Sequence, residues 1–168
     1  LLKIMKREIL NAFNKIPFFT IEAVKQLYGA EDLSEGSIRT SLYRWMRTGH
    51  VIQLKKGTYM TRIFYEQHRA DPDFSPAISA ILIPQSYISL EFVLQRHAVL
   101  TEITYPITAI TTKHARVIEN KLGTFSYRNI KEDLYTGFEF YEYLGVPYSI
   151  ATLPKALFDY LYLRPLSR

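Results

Sequence analysis

The 168-residue chain contains no cysteine. Disulfides, thiolate metal sites and thiol chemistry are therefore excluded, and the composition fits a reducing cytoplasm. Histidine is scarce as well. The four present, His50, His68, His97 and His114, include no two at metal-ligand spacing, so no metal site is expected. Long apolar runs are also missing. The longest, Ala77 to Ile83, has Ser79 inside it and is far too short to cross a bilayer. The opening LLKIMKREIL interleaves Lys3, Lys6, Arg7 and Glu8 with apolar residues, a helix pattern rather than a signal peptide. It begins on Leu1 rather than methionine, which implies residues upstream. Glycine numbers only seven, each beside a turn or helix end, so no phosphate-cradling loop is present.

What the chain does have is an uneven charge distribution. The formal net charge is +5 and the pI about 9.3. Residues 1–70 carry twelve Lys and Arg against six Asp and Glu, while residues 71–168 carry nine against ten. The basic excess therefore sits in the N-terminal part, which points to a polyanionic partner for that part alone.

Three helices are legible there by period. Met5, Ile9, Ala12, Phe13 and Ile16 mark the first, which Pro17 should end. Thr20 caps the second, with Glu22 in its first turn, a stripe of Ile21, Val24, Leu27 and Tyr28, and Gly29 as its stop. Ser34 caps the third, which runs to Thr48 before Gly49. Ile38, Leu42, Trp45 and Met46 form its apolar stripe, so Trp45 belongs to the core. Its other face carries Ser37, Arg39, Thr40, Arg44 and Arg47, with Tyr43 on the border. The period then changes to two. Val51 to Leu54, a Lys55-Lys56-Gly57 turn and Thr58 to Thr61 predict a hairpin.

Three helices followed by a hairpin is the order of a winged helix-turn-helix. Arginine can bond guanine edges twice, and Ser or Thr can bond bases or phosphates. Arg39, Thr40 and Arg44 are the expected base readers, with Tyr43 a further candidate. Ser37 and Arg47 suit phosphates, Lys55 and Lys56 at the hairpin tip suit phosphates or the minor groove, and Lys25 on the second helix suits the backbone. The expected ligand is double-stranded DNA. Two alternatives stay open: a protein-interaction module built on the same winged helix, and RNA binding by the C-terminal part.

HRADPDFSP, His68 to Pro76, marks a linker, giving a DNA-binding domain at 1–67 and a second domain at 77–168. Ser75 should cap a helix over Ala77 to Ile83 that Pro84 ends. Ser89 should cap the next, with a stripe of Leu90, Val93, Leu94 and a core-edge His97. Strands are expected at Pro106 to Thr112, Ala115 to Glu119, Leu122 to Arg128, Phe138 to Tyr143 and Val146 to Ala151. Asn120-Lys121 and Leu144-Gly145 supply turns. Thr152 should cap a last helix with Leu157, Phe158, Leu161 and Tyr162 as its stripe. The fold class is thus α+β, the second domain a mostly antiparallel sheet flanked by helices. No catalytic residue stands out. Glu132-Asp133 suits a first helical turn, and neither Ser89 nor Ser126 has a base beside it in sequence. No enzyme activity and no cofactor are expected. Lys113, His114 and Arg116, with Arg128 and Lys131, form a possible second basic patch.

SYISLEFVLQRHAVL (86–100), ITAITTKHARVIENKLGTFSYRNI (107–130) and IATLPKALFDYLYL (150–163) resemble the C-terminal region of AbiEi-type antitoxins, the winged-helix regulators of abortive-infection toxin–antitoxin pairs. TTK at 111–113, LGTFSYR at 122–128 and PKALFDYLYL at 154–163 carry it best. The resemblance implies a bacterial, cytoplasmic autorepressor that binds an inverted-repeat operator through its N-terminal domain. Its functional partner would be a nucleotidyltransferase-like toxin, countered without a stable complex. Relatives carry further helices beyond the position of Arg168, which implies either a truncated chain or a short member.

Overall fold

Ile9, Leu10 and Phe13 are the buried side of helix α1 (Leu2–Phe13), and they set the core of the first of two units. The computed structural model describes residues 2–28, 34–101 and 106–164. Met5, Tyr28 and Gly29 of the expected helix patterns fall outside the described side chains and residues. The chain is mixed α/β, with seven α-helices and two sheets among the described residues. It divides into Leu1–Asp71 and Pro72–Arg168.

In the first unit α1 stops at Phe13, short of Ile16 and Pro17. The residue before a proline is pushed out of helical space, and Ile16 is exposed rather than part of the core. Ala12 also faces solvent. The chain turns so that Phe19 can stack on Phe13, with ring centroids 4.2 Å apart, and lie 5.9 Å from Tyr59. Phe19 and Thr20 form a two-residue strand, β1, too short to leave a periodic signal. Helix α2 (Ile21–Tyr28) follows, with Thr20 Oγ1 accepting from the Ala23 amide at 3.3 Å as a cap should. Ile21 and Val24 are buried, while Leu27 is exposed.

Helix α3 (Glu35–Arg47) starts at the expected Ser34 cap, whose Oγ accepts from Ser37 N. Strands β2 (Val51–Lys55) and β3 (Thr58–Thr61) form the expected hairpin. With β1 they make a three-stranded antiparallel sheet in the order β1-β3-β2. A helix the sequence pattern did not disclose, α4 (Arg62–His68), begins directly at Thr61, whose Oγ1 caps the Phe64 amide at 3.2 Å. The expected linker over 68–76 therefore contracts, because α4 reaches His68 and α5 (Phe74–Leu82) starts before Ser75. Asp73, not Ser75, stands at the α5 cap position, with its carbonyl accepting from Ala77 N. Pro76 is tolerated because first-turn amides have no helical partner. Ile83 is extended, as the residue before Pro84 must be.

The second unit continues with β4 (Ser86–Ile88), α6 (Glu91–Arg96), β5 (Ile107–Thr111), β6 (Arg116–Asn120), β7 (Gly123–Asn129), a 3-10 turn (Glu132–Leu134), β8 (Phe138–Tyr143), β9 (Val146–Ala151) and α7 (Leu153–Leu163). The strand order is β6-β7-β5-β4-β9-β8. Hairpins β6/β7 and β8/β9 and the pair β4/β5 are antiparallel, whereas β5/β7 and β4/β9 are parallel. The sheet is thus mixed, its two parallel pairs β4/β9 and β5/β7 joining strands that no hairpin connects. One face carries Tyr127, whose hydroxyl donates to Ser79 O on α5 at 2.9 Å. Burial pushes the pKa of that phenol up. The other face carries Tyr87, which points to α7.

Helices α6 and α7 depart from the patterns expected of them. Ser89 does not cap α6. Leu90 takes that position at a φ of 59°, and the Ser89 hydroxyl instead donates to Asp159 Oδ2 at 2.7 Å. His97 is exposed at the end of α6 rather than at a core edge. On α7 the expected stripe is turned outward. Leu157, Phe158, Leu161 and Tyr162 are exposed, while Ala156 and Asp159 are fully buried. Thr152 bonds Gly137 O instead of a helix amide.

The cause is a buried polar cluster. Asp159 Oδ2 accepts from Tyr87 Oη at 3.0 Å as well as from Ser89, and Asp159 Oδ1 faces Lys155 Nζ at 2.8 Å. Lys155 Nζ also donates to Leu134 O at 2.7 Å. Burial, then the Asp159 charge, pushes the Tyr87 phenol up. Removing one member of a buried pair leaves the other charge uncompensated. Asp159→Ala should therefore cost about 3–5 kcal/mol of stability in urea unfolding followed by circular dichroism. A loss under about 1 kcal/mol, the value of an exposed pair, would show that the cluster does not hold α7.

Candidate nucleic-acid interface

Helix α3 presents two faces. Ile38 and Leu42 are each 1% exposed and Ser41 is buried. Trp45 and Met46 pack half-buried on the same core as Phe13, Phe19 and Val51. Ser37, Arg39, Thr40, Tyr43, Arg44 and Arg47 are all exposed on the remaining surface. Tyr43, on the border by sequence, is 58% exposed and belongs to the outer face. Thirteen residues at 1.5 Å each make a rod about 20 Å long, and the major groove admits such a helix.

Both ends of the rod are closed. Ser34 caps the N-terminus. At the other end Gly49 N bonds Met46 O and His50 N bonds Trp45 O, with Gly49 at a φ of 76°. This is a Schellman closure, which needs a left-handed residue at that point. Arg62 adds a clamp from outside, its Nε donating to Gly49 O at 3.1 Å and its backbone N to His50 O at 2.8 Å.

The polar side chains of the outer face are not equivalent. Glu35 Oε1 accepts from Arg39 Nη2 at 2.6 Å and Nε at 3.1 Å, and Glu35 Oε2 accepts from Lys25 Nζ at 3.0 Å. These bonds, Arg39 first, hold the Glu35 carboxyl below the usual carboxylate range. Two of the expected contact residues are therefore tied to one acid. Arg44 and Arg47 make no ion pair among the described residues. The Thr40 hydroxyl donates to Gly36 O at 2.9 Å, which leaves its lone pairs outward as acceptors. Ser37 Oγ lies 3.1 Å from Ser34 Oγ, inside the cap.

The hairpin turn is tighter than expected. Lys55 pairs with Thr58, so the loop is Lys56-Gly57, with Gly57 at a φ of 79°. A register shift between Gln53 and Lys55 lets Leu54 stay buried. Lys56 is exposed and Lys55 half-buried.

The second set of basic residues lies in the other unit. Lys113, His114, Arg116, Arg128 and Lys131 are all exposed. Asn129 Nδ2 donates to Lys113 O at 2.8 Å and Ile130 N to Thr111 O at 3.0 Å, which draws the two segments to one corner of the sheet. The two arginines do not share a face. Arg116 stands opposite Tyr127 in the register, and Arg128 is the next residue along β7. Arg128 Nη2 donates to Leu163 O at the C-terminus of α7, 3.2 Å away, where a cation suits the helix dipole.

A cleft of about 460 Å³ in the second unit is lined by Asp73, Arg96, His97, Glu139, Tyr141 and Tyr148, among others. Arg96 pairs with Asp73 at 3.2 Å. Burial, then Asp73, pushes the Tyr148 phenol up to about 12. Among the described residues no group of three or more His, Asp or Glu could hold a metal ion, and no helix is long and apolar enough to cross a membrane. No protein-family model matches the chain, and no curated protein matches it.

The Glu35 clamp makes a direct test possible. Glu35→Gln removes one negative charge and loosens Arg39 and Lys25, so binding to random-sequence duplex in fluorescence anisotropy should tighten. The slope of log affinity against log salt should steepen as well. Unchanged affinity and slope would mean that neither cation meets phosphate.

Proposed function

We propose that residues 1–71 form a winged helix-turn-helix that reads duplex DNA, and that the chain is a DNA-binding transcriptional regulator. The observation that carries this reading is the outer face of α3. Thr40, Arg44 and Arg47 stand exposed along a helix whose ends are both closed, in the half of the chain that holds the basic excess. Arg44 and Thr40 are the base readers in this reading, Arg47 and Lys56 contact phosphate, and Arg39 joins by exchanging Glu35 for DNA.

The operon-level part of the proposal, autorepression of a toxin–antitoxin pair with a nucleotidyltransferase-like toxin, rests on the resemblance to AbiEi-type antitoxins. The residues behind that resemblance have mainly structural tasks. Thr111 is buried and its hydroxyl donates to Gln85 O at 2.7 Å. LGTFSYR is the turn and strand that bury Phe125 and Tyr127, and PKALFDYLYL places Lys155 and Asp159. They support a shared scaffold more than a shared site.

Arg44→Ala should weaken binding to a duplex enriched from a random pool by about 1–3 kcal/mol and relax preference at one base pair. Lys56→Ala should weaken all sequences alike and lower the salt slope by about one unit. An Arg44→Ala protein that folds normally and keeps both affinity and sequence preference would sink the assignment of α3 as the reading helix.

A further inference from the structure

Glu35 is the first residue of α3 and shares a face of the helix with Arg39, one turn on. Reading helices meet base edges through their N-terminal residues. A docked α3 therefore carries this carboxylate into the groove together with Arg39, which lies about 6 Å further along the axis. The Glu35 side chain is 48% exposed and takes no part in the core. In the free chain it is well supplied with donors. Arg39 Nε and Nη2 both donate to Oε1, at 3.1 and 2.6 Å, and Lys25 Nζ donates to Oε2 at 3.0 Å. Those bonds fill most of the roughly four lone-pair sites of a carboxylate.

We propose that, within the DNA reading on which this rests, Glu35 is a specificity residue that selects cytosine at one position of the bound site, beside the base pair that Arg39 meets. DNA draws Arg39 and Lys25 toward guanine edges and phosphates. A carboxylate that yields both cations needs new donors, and a duplex offers few. Phosphates repel it. At neutral pH it is ionised and can only accept, and in the major groove guanine N7 and O6 and thymine O4 also only accept. Cytosine N4 and adenine N6 are the donors there. Adenine sets its N7 acceptor beside that amine, whereas cytosine presents the amine alone. Rejection matters as much as attraction. Where no donor is in reach, Glu35 gives up two cations and gains nothing, which weakens non-specific binding. At a cytosine it regains a charge-assisted bond. The plainer role, a first-turn acid that favours the helix dipole, predicts effects on stability and none on base preference.

Selection of duplexes from a random pool by the intact chain, followed by sequencing, tests this. The chain should enrich a motif with one position dominated by cytosine. Glu35→Gln should move that position to adenine, which a carboxamide bonds at N6 and N7 together. Glu35→Ala should leave the position without preference and the other positions as they were. In fluorescence anisotropy, replacing that cytosine should weaken the unsubstituted chain by roughly fivefold or more and leave Glu35→Ala unaffected. Arg44→Ala separates this claim from the DNA reading itself. If Arg44→Ala relaxes one position while both Glu35 variants keep the motif intact, α3 still reads DNA and the role of Glu35 is overturned. A Glu35-dependent position that prefers any base other than cytosine overturns it as well. So does a loss of stability in thermal unfolding with an unchanged motif. An unsubstituted chain that enriches no motif overturns both.

Discussion

The burial of Ile38 and Leu42 is the constraint on which the outer face of α3 depends. Both side chains enter the core formed by Ile9, Phe13, Phe19 and Val51, and that fixes the rotation of α3 about its own axis. Once the rotation is set, Thr40, Tyr43, Arg44 and Arg47 have nowhere to point but outward. The Ser34 cap and the Gly49 closure then fix the length of the rod, and Arg62 clamps the Gly49 and His50 carbonyls just beyond it. Packing and presentation are two results of one amphipathic pattern.

Local signals carried much of this architecture. The caps at Thr20 and Ser34, the closure at Gly49, and the two hairpins β2/β3 and β8/β9 each depend on residues within a few positions of one another. What the sequence hid was either too short or too distant. Strands β1 and β4 have two and three residues, below the length at which alternation can be seen. The orientation of α7 was misread for a different reason. Four large apolar residues at helical spacing predict a core stripe, and a Lys and Asp four apart predict a solvated pair. The reverse holds because Tyr87 and Ser89, some seventy residues earlier, supply the hydroxyls that make an Asp159 carboxylate tolerable inside. No local window contains that information. The Glu35–Arg39 pair was different. It lies at i and i+4 and was visible in the sequence, whereas Lys25 joins it from ten residues away.

The two units use charge in opposite ways. The first keeps its described cations exposed or half-exposed, with Glu35 holding some of them and Arg44 and Arg47 making no ion pair among the described residues. The second buries its most consequential ion pair and leaves an uncharged apolar face outward. A surface of the first kind suits a polyanion such as duplex DNA. The corner formed by Lys113, Arg116 and Arg128 is less suited to a polyanion, because its two arginines take opposite faces and Arg128 is occupied by the end of α7.

Contact between the outer face of α3 and DNA bases is what the proposed function stands on. NMR titration of the intact chain with a duplex enriched from a random pool tests it most directly. The largest shifts are expected in the Nε–H signals of Arg44 and Arg47 and in the backbone amides of 36–48, with smaller ones at Lys56 and Gly57. Shifts confined to residues 107–131, with α3 unmoved, would contradict it.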